Sequence, residues 1–332
     1  MEPTACVPLS PLLYCYHRIE RCDLENMPEL PDLTVYKEAI ESHCAEDVLE
    51  QVRLKSPFLL RTVEPPISAV FSKTLRRVSR IGKRLVFELD DELFLLVHLM
   101  VAGRFQWRKK NSGIPGKIGL AAMDFSSGTL LLTEASSKKR ASLHLVQGTE
   151  SLHMFNRGGI EVLEADLAAF SQALKSENHT LKRALTDPRL FSGIGNSYSD
   201  EILHAAGLSP LKRTLQLDSE EIASLYESCR NVLAAWTERL RAETGSGFPS
   251  KVSAFREGMA VHGRYGLPCP VCGGAVQRIV YIENECNYCP SCQTGGKILA
   301  DRSLSRILKG DWPHSLDELE DLMNRHTSVP GE

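Results

Sequence analysis

No stretch of this 332-residue chain strings together the roughly 18 apolar residues that a membrane-spanning helix needs, which excludes a chain that crosses a bilayer by helices. A basic start followed by an apolar core is missing too. The first 26 residues carry only the broken run Pro8-Leu9-Ser10-Pro11-Leu12-Leu13-Tyr14-Cys15-Tyr16, so a secretory signal is not expected and the default location is cytoplasmic. There is no excess of positive charge: 39 Lys and Arg against 42 Asp and Glu leave −3, so any affinity for nucleic acid has to come from local patches. Internal repeats and low-complexity tracts are absent, which argues against a solenoid or array.

What is present is an ordinary globular composition, 42% apolar and 24% charged, in a chain long enough for two or three domains. Ten cysteines stand out. Cys6, Cys15 and Cys22 lie in the first 26 residues, and four of the other seven form two tight pairs. In a reducing compartment that spacing reads as metal binding, not as disulfides.

The texture changes along the chain. Residues 1–26 show little periodicity. Apolar residues at helical spacing predict a helix over 34–48, through Val35, Ala39, Ile40, Cys44 and Val48. From about 50 to 135 strands are expected. Arg84–Leu89 alternates in part, Asp90-Asp91-Glu92 reads as a turn, and Phe94–Leu99 reads as a buried strand. Ala121–Phe125 and Thr129–Thr133, joined by Ser126-Ser127-Gly128, form another hairpin, the signature of an antiparallel sandwich or barrel. Beyond 164 helices take over, at Ala165–Leu174, Thr180–Leu185, Ser197–Ala206, Ser219–Ala235 and Ser250–Glu257, with a loop over 244–249. A short acidic helix is expected over Leu316–Met323.

Cys269-x2-Cys272, sixteen residues, then Cys289-x2-Cys292 is the strongest local signal. Two such knuckles present four thiolates at about 2.3 Å to one tetrahedral zinc, and a four-thiolate site has no open position, so the ion is structural. Gly273-Gly274 and Gly295-Gly296 follow the knuckles, and Val276–Ile282 with Glu285–Tyr288 supply a hairpin between them. Two basic clusters offer contacts to phosphates. One runs from Ser72 to Arg84 with six basic residues and no acid; the other is Arg104, Arg108, Lys109 and Lys110 beside Phe105 and Trp107. Either cluster alone reads as a solvated face, but together with the knuckles they favour nucleic acid. Gly193-Ile194-Gly195-Asn196 lets the backbone approach a phosphate at the start of a helix, although by itself it is an ordinary interhelical turn.

Four separated blocks then occur in the order of a known family: Met27-Pro28-Glu29-Leu30-Pro31; Gly82-Lys83 before a strand ending His98-Leu99; Gly193-Ile194-Gly195-Asn196-Ser197-Tyr198-Ser199-Asp200-Glu201, continuing through Ala206-Gly207-Leu208-Ser209-Pro210; and Val261-His262-Gly263-Arg264 leading into the knuckles. On these residues the chain, from Met27 to about Gln293, resembles the formamidopyrimidine-DNA glycosylase and endonuclease VIII family of base-excision repair enzymes. The resemblance implies an α+β multidomain fold: an N-terminal antiparallel β-sandwich (27–150), a helical domain with a helix–two-turns–helix (164–260), a C-terminal four-cysteine zinc finger (261–300) and a tail (301–332). It implies a monomer that excises oxidised or ring-opened bases from double-stranded DNA and then cleaves the abasic site. The damaged nucleotide would be swung out of the stack at a cost of a few kcal/mol. Pro28 would attack the anomeric carbon to give a Schiff base, Glu29 would move protons, and Lys83 would bind a phosphate. Asn196, Arg264, Arg104 and Asn284 are the candidate DNA contacts.

The chain departs from the family in three ways. First, Pro28 stands behind 26 residues and a peptide bond, where its nitrogen is a tertiary amide. Because every later block is placed as if Met27 were the first residue, residues 1–26 are expected to be absent from the mature protein. If they are retained, the alternative is a DNA-damage binding protein of the same fold without activity. Secondly, the finger carries Asn284 between Glu283 and Glu285, where the family usually has an arginine that grips phosphate. Thirdly, the strand block reads His98-Leu99-Met100-Val101. Strand alternation points Met100 to the opposite face from the family's gap-filling methionine and leaves Val101 as the filler; Phe155-Asn156-Arg157-Gly158-Gly159 is the nearest match to the family's other filling loop.

Overall fold

A computed structural model describes residues 27–249, 256–281 and 285–299, with four single positions (313, 315, 318 and 321) beyond them. The first described helix, α1 (Leu30–Cys44), starts four residues earlier than its apolar period indicates. Pro31 fits the first helical turn, where no N–H is needed, and the Glu29 N–H before it donates to the Asp32 carboxylate at 3.0 Å. The helix ends at Cys44, and Val48, expected within it, opens β1 (Val48–Leu54).

Seven more strands follow: β2 (Lys73–Ile81), β3 (Arg84–Leu89), β4 (Leu93–His98), β5 (Gly103–Arg108), β6 (Gly119–Phe125), β7 (Thr129–Glu134) and β8 (Ser142–Gln147). Their order is β5-β7-β6-β1-β2-β3-β4-β8, and all neighbouring pairs are antiparallel. β1 meets β2 through two register pairs only, Val48 with Thr74 and Leu49 with Lys73. That short junction folds the two four-stranded halves over one apolar core containing Leu49, Leu75, Phe87, Leu95, Phe105, Met123, Phe125 and Leu145. The sandwich expected from the sequence is therefore present. β2 was hidden because its basic residues read as a surface patch. In the fold, Lys73 pairs with Asp91, Arg76 with Glu46 and Asp90, Arg77 with Glu88, and Arg80 with Glu161. Four of the six cations of that cluster thus already face acids.

The helical part comprises α2 (Thr149–His153), α3 (Leu167–Lys175), α4 (Leu181–Thr186), α5 (Asn196–Ala205) and α6 (Ser219–Thr244). α6 runs nine residues past its sequence-based end and stops at Gly245, whose φ of 56° closes the helix. Phe170, Leu185, Phe191, Tyr198, Ile202, Leu225 and Leu233 build a second core. Of the helix expected over 250–257, residues 250–255 lie outside the described residues, and Arg256 and Glu257 are not helical. The acidic helix expected over 316–323 lies almost entirely outside them. β9 (Gln277–Val280) and β10 (Glu285–Tyr288) form the expected hairpin between the knuckles, followed by α7 (Pro290–Thr294). No described helix is long and apolar enough to cross a membrane.

The start of α1 lies at the seam of the two cores. Leu30 belongs to the helical core, and Leu33 and Tyr36 belong to the sandwich core. The same turn of helix therefore anchors in both, and Glu29 just before it sits between them.

Candidate active site

Glu29 is buried. Its carboxylate accepts N–H bonds from Gly195 (2.6 Å), Ser197 (2.9 Å) and Tyr198 (3.3 Å), at the first turn of α5. A carboxylate at a helix N-terminus gains from the aligned dipole and from donors that otherwise lack partners. The backbone N–H of Glu29 donates to Asp32 Oδ2 at 3.0 Å, and the N–H of Leu30 donates to Gly193 O at 2.9 Å. Asp32 is held in turn by Arg256. Pro28, directly before Glu29, is buried at this seam.

Lys83 reaches the same place from the β2–β3 turn. A Cβ at Gly195 would overlap both the Lys83 Nζ and the Glu29 carboxylate, so glycine is required there by close approach. Burial pushes the Lys83 ammonium below the usual lysine range, against the opposing pull of Glu29. Three of the four sequence blocks, at Pro28-Glu29, Lys83 and Gly195-Asn196, thus converge on one point.

The candidate DNA contacts are distributed more widely. Asn196 opens α5, and its Nδ2 donates to the Glu285 carbonyl at 2.9 Å, tying this turn to β10. Arg264 lies at the base of the finger, where Nη2 donates to Pro268 O at 3.0 Å and the buried Nε has no hydrogen-bond partner. Arg104 is on β5, and its guanidinium donates to the Gly103 carbonyl at 2.7 Å. Asn284 lies outside the described residues. Met100 is not in a strand at all: it follows β4 in a tight turn with φ of 54°, closed by Gly103 N–H to Leu99 O at 3.0 Å. The alternation argument for Val101 therefore does not apply to it. Phe155 packs against His144, with ring centroids 5.0 Å apart, and lies beneath the Arg84 guanidinium.

The four knuckle cysteines come together as expected. Their sulfurs all lie within 4.8 Å of one another, with Cys269 to Cys292 at 3.9 Å and Cys272 to Cys289 at 3.4 Å. Four sulfurs around one tetrahedral zinc lie about 3.8 Å apart, so this donor set fits that ion.

Sequence reasoning missed the buried polar linkage that joins α5 to the finger. Asp200 accepts from Lys182 Nζ (2.6 Å) and the Asn287 N–H (3.1 Å) and bonds His262 Nδ1 (2.7 Å). Burial alone would raise its carboxyl, but Lys182 and His262 outweigh that and hold it below the usual range. Glu201 accepts the N–H groups of Ala260, Val261 and His262. The adjacent acids Asp200-Glu201, directly before the apolar pair Ile202-Leu203, were the available signal, since buried acids require partners.

Comparison with known proteins agrees with this geometry. The formamidopyrimidine-DNA glycosylase N-terminal domain matches residues 27–154 and the corresponding H2TH domain matches residues 160–245. The formamidopyrimidine-DNA glycosylase of Desulfitobacterium hafniense is 30% identical over 279 residues, covering 80% of this chain and all of that protein. A formamidopyrimidine-DNA glycosylase-like protein of Mycobacterium tuberculosis is 39% identical over 162 residues, 49% of this chain and 99% of its own length. The structure of Lactococcus lactis Fpg in complex with DNA containing an abasic site superposes with a TM-score of 0.71 at 26% identity, covering 80% of this chain and 99% of that one. The chain belongs to the formamidopyrimidine-DNA glycosylase family, whose members are DNA glycosylases with abasic-site lyase activity.

Proposed function

We propose that this chain excises oxidised or ring-opened bases from double-stranded DNA and cleaves the resulting abasic site, acting as a monomer with Pro28 as nucleophile. The observation that carries the reading is the convergence on Gly195 of Lys83 and of Glu29, the residue that follows Pro28 in the chain. The secondary amine of a terminal Pro28 attacks C1′ of the flipped nucleotide. A nitrogen–carbon bond forms, the glycosidic bond breaks, and the base leaves with a proton. Glu29 protonates the ring oxygen as the sugar opens, giving an iminium. Loss of a C2′ proton then expels the 3′ phosphate, and water releases Pro28.

Lys83 supplies an amine at the same turn for the phosphate next to the flipped sugar, and its depressed basicity is the cost of holding a cation there before DNA arrives. Asn196, Arg264, Arg104 and Asn284 are assigned to the flanking backbone, and zinc is assigned to Cys269, Cys272, Cys289 and Cys292. When bound, the ion fixes the two knuckles, and with them the hairpin that follows Arg264.

Borohydride trapping on lesion-bearing duplex tests the proposal. Protein beginning at Pro28 is expected to give a covalent adduct whose cross-linked peptide contains Pro28. The full chain, in which Met27 acylates Pro28, is the comparison and is expected to give none. Absence of an adduct from the Pro28 form, across oxidised purines, oxidised pyrimidines and a plain abasic site, would sink the reading.

A further inference from the structure

One histidine lies against a zinc-ligand sulfur without belonging to the ligand set. His204 is on the last turn of α5 and is buried, and its Nε2 is 3.3 Å from Cys269 Sγ. The group formed by the four knuckle cysteines, whose ligand atoms lie within 4.8 Å of one another, does not include His204. The imidazole therefore touches the site from outside, on a single sulfur. Cys269 Sγ also has the Val271 N–H at 3.5 Å, the contact a knuckle makes from its own backbone. His204 adds a second contact from a different part of the fold.

We infer that His204 is a positioning residue for the zinc site, donating an Nε2–H···S hydrogen bond to the Cys269 thiolate and fastening the finger to α5. The inference rests on the zinc assignment above. A thiolate bound to zinc keeps excess negative charge, and a donor aimed at it stabilises the ligand form and fixes its direction. The surroundings agree. At the second knuckle Gln293 bridges two elements, accepting the Cys289 N–H at 2.8 Å and donating to Leu208 O at 2.9 Å just past the end of α5. Each knuckle is thus gripped once by a side-chain hydrogen bond spanning the finger and the α5 end. At its other end the same helix offers the N–H groups that hold Glu29. Metal occupancy at the finger and carboxylate placement at the candidate active site consequently share one rigid element.

The test uses the full chain, as wild type and with His204→Phe, which keeps a ring but no donor, and His204→Gln, which keeps an N–H donor. Zinc content and the rate of zinc transfer to a chelator are measured for each, with circular dichroism to confirm the fold. Loss of an outer hydrogen bond of this kind typically costs about 10–100-fold in metal affinity. H204F is expected to release zinc faster by about that factor, with H204Q closer to wild type. In the cobalt-substituted protein, the thiolate-to-cobalt charge-transfer band is expected to shift in H204F while remaining that of a four-sulfur site.

The wild-type protein supplies a check that needs no variant. Loaded with cadmium-113, it is expected to show scalar coupling between the metal and the His204 Nε2 proton through the sulfur. Unchanged release and spectrum in H204F, or absence of that coupling, overturns the inference and leaves a packing contact. A wild-type spectrum of three sulfurs and one nitrogen also overturns it, because His204 would then be a ligand. If wild-type protein binds neither zinc nor cobalt, the zinc assignment itself has failed, an outcome that removes the thiolate the hydrogen bond requires.

Discussion

The carboxylate of Glu29 accepts the Gly195 N–H at 2.6 Å across 166 residues of sequence. The same glycine is the point at which Lys83 arrives, and a Cβ there meets both side chains. The φ of Gly195 is −133°, so glycine is needed for space and not for backbone freedom. Gly195→Ala is therefore expected to fold, since each core lies elsewhere, but to push Glu29 and Lys83 apart. A displacement of about 1 Å at reacting groups can cost about 10²-fold. Single-turnover excision is expected to fall by that order with duplex binding changed far less. Wild-type rates in G195A would show that the close approach has no part in the chemistry.

Glu29→Gln separates proton transfer from structure. The amide keeps one oxygen for the α5 N–H groups but turns an NH2 toward donors, leaving at least one buried N–H without an acceptor. That costs about 1–3 kcal/mol of stability. Removing the proton-transfer group is expected to cost about 10²–10⁴ in the rate of excision. Urea unfolding and single-turnover kinetics on the same preparation read the two effects. A stable but inactive variant and an unstable but active one would each refute half of the assignment.

The buried pair Lys182–Asp200 makes a prediction about stability. Both groups are almost fully buried and 2.6 Å apart, and Asp200 also bonds His262 and the β10 backbone. Removing one partner of such a pair leaves an uncompensated charge in the interior, at about 3–5 kcal/mol. Lys182→Met is expected to lower the urea midpoint accordingly, with far less loss in the double variant that also carries Asp200→Asn. Equal losses in the single and double variants would show that the two charges do not depend on each other.

The sequence carried the architecture further than the connections. Partial alternation marked β3, a continuous apolar run marked β4, a hairpin turn marked β6 and β7, and cysteine spacing marked the knuckles, because all these signals are local. β2 was obscured because its cations are neutralised by acids distant in sequence, such as Glu161 for Arg80. The start of α1 was misplaced because the hydrogen bond from the Glu29 N–H to the Asp32 carboxylate helps to set it, while apolar spacing marks only the buried face further along. Pro28, Glu29 and Lys83 were nameable through the family blocks alone. Their meeting at Gly195 is tertiary, and so are the roles of Arg256, His262 and His204, each of which reads in isolation as an ordinary polar residue.

The finger's independence is testable through Cys289→Ala. The knuckles sit in a small cluster of Val261, Cys269, Val276 and Cys289, separate from the two main cores. Losing one of four thiolates is expected to abolish stoichiometric zinc and weaken duplex binding by tenfold or more. The far-ultraviolet circular dichroism of the sandwich is expected to survive, because among the described residues its core includes none beyond Phe248. Metal analysis, a binding titration and a melting curve together check this, and global unfolding would contradict it.

His98 sets a pH dependence. It ends β4 opposite Arg84, and its pKa is pushed down to about 4, first by burial and then by Arg84, Lys83 and His144. Unfolded histidine titrates near 6.5, so between pH 6.5 and about 4 the unfolded chain binds a proton that the folded chain refuses. Folding stability is thus complete above pH 6.5 and declines as pH falls through that window. From pH 7 to 5 the loss attributable to His98 is about 1–2 kcal/mol, allowing for its partial contact with solvent. His98→Gln removes the titration, so the difference in unfolding free energy between wild type and H98Q is expected to shift in favour of the variant on acidification. Urea denaturation at the two pH values measures it, and parallel declines in both proteins would show that His98 protonates freely in the folded state.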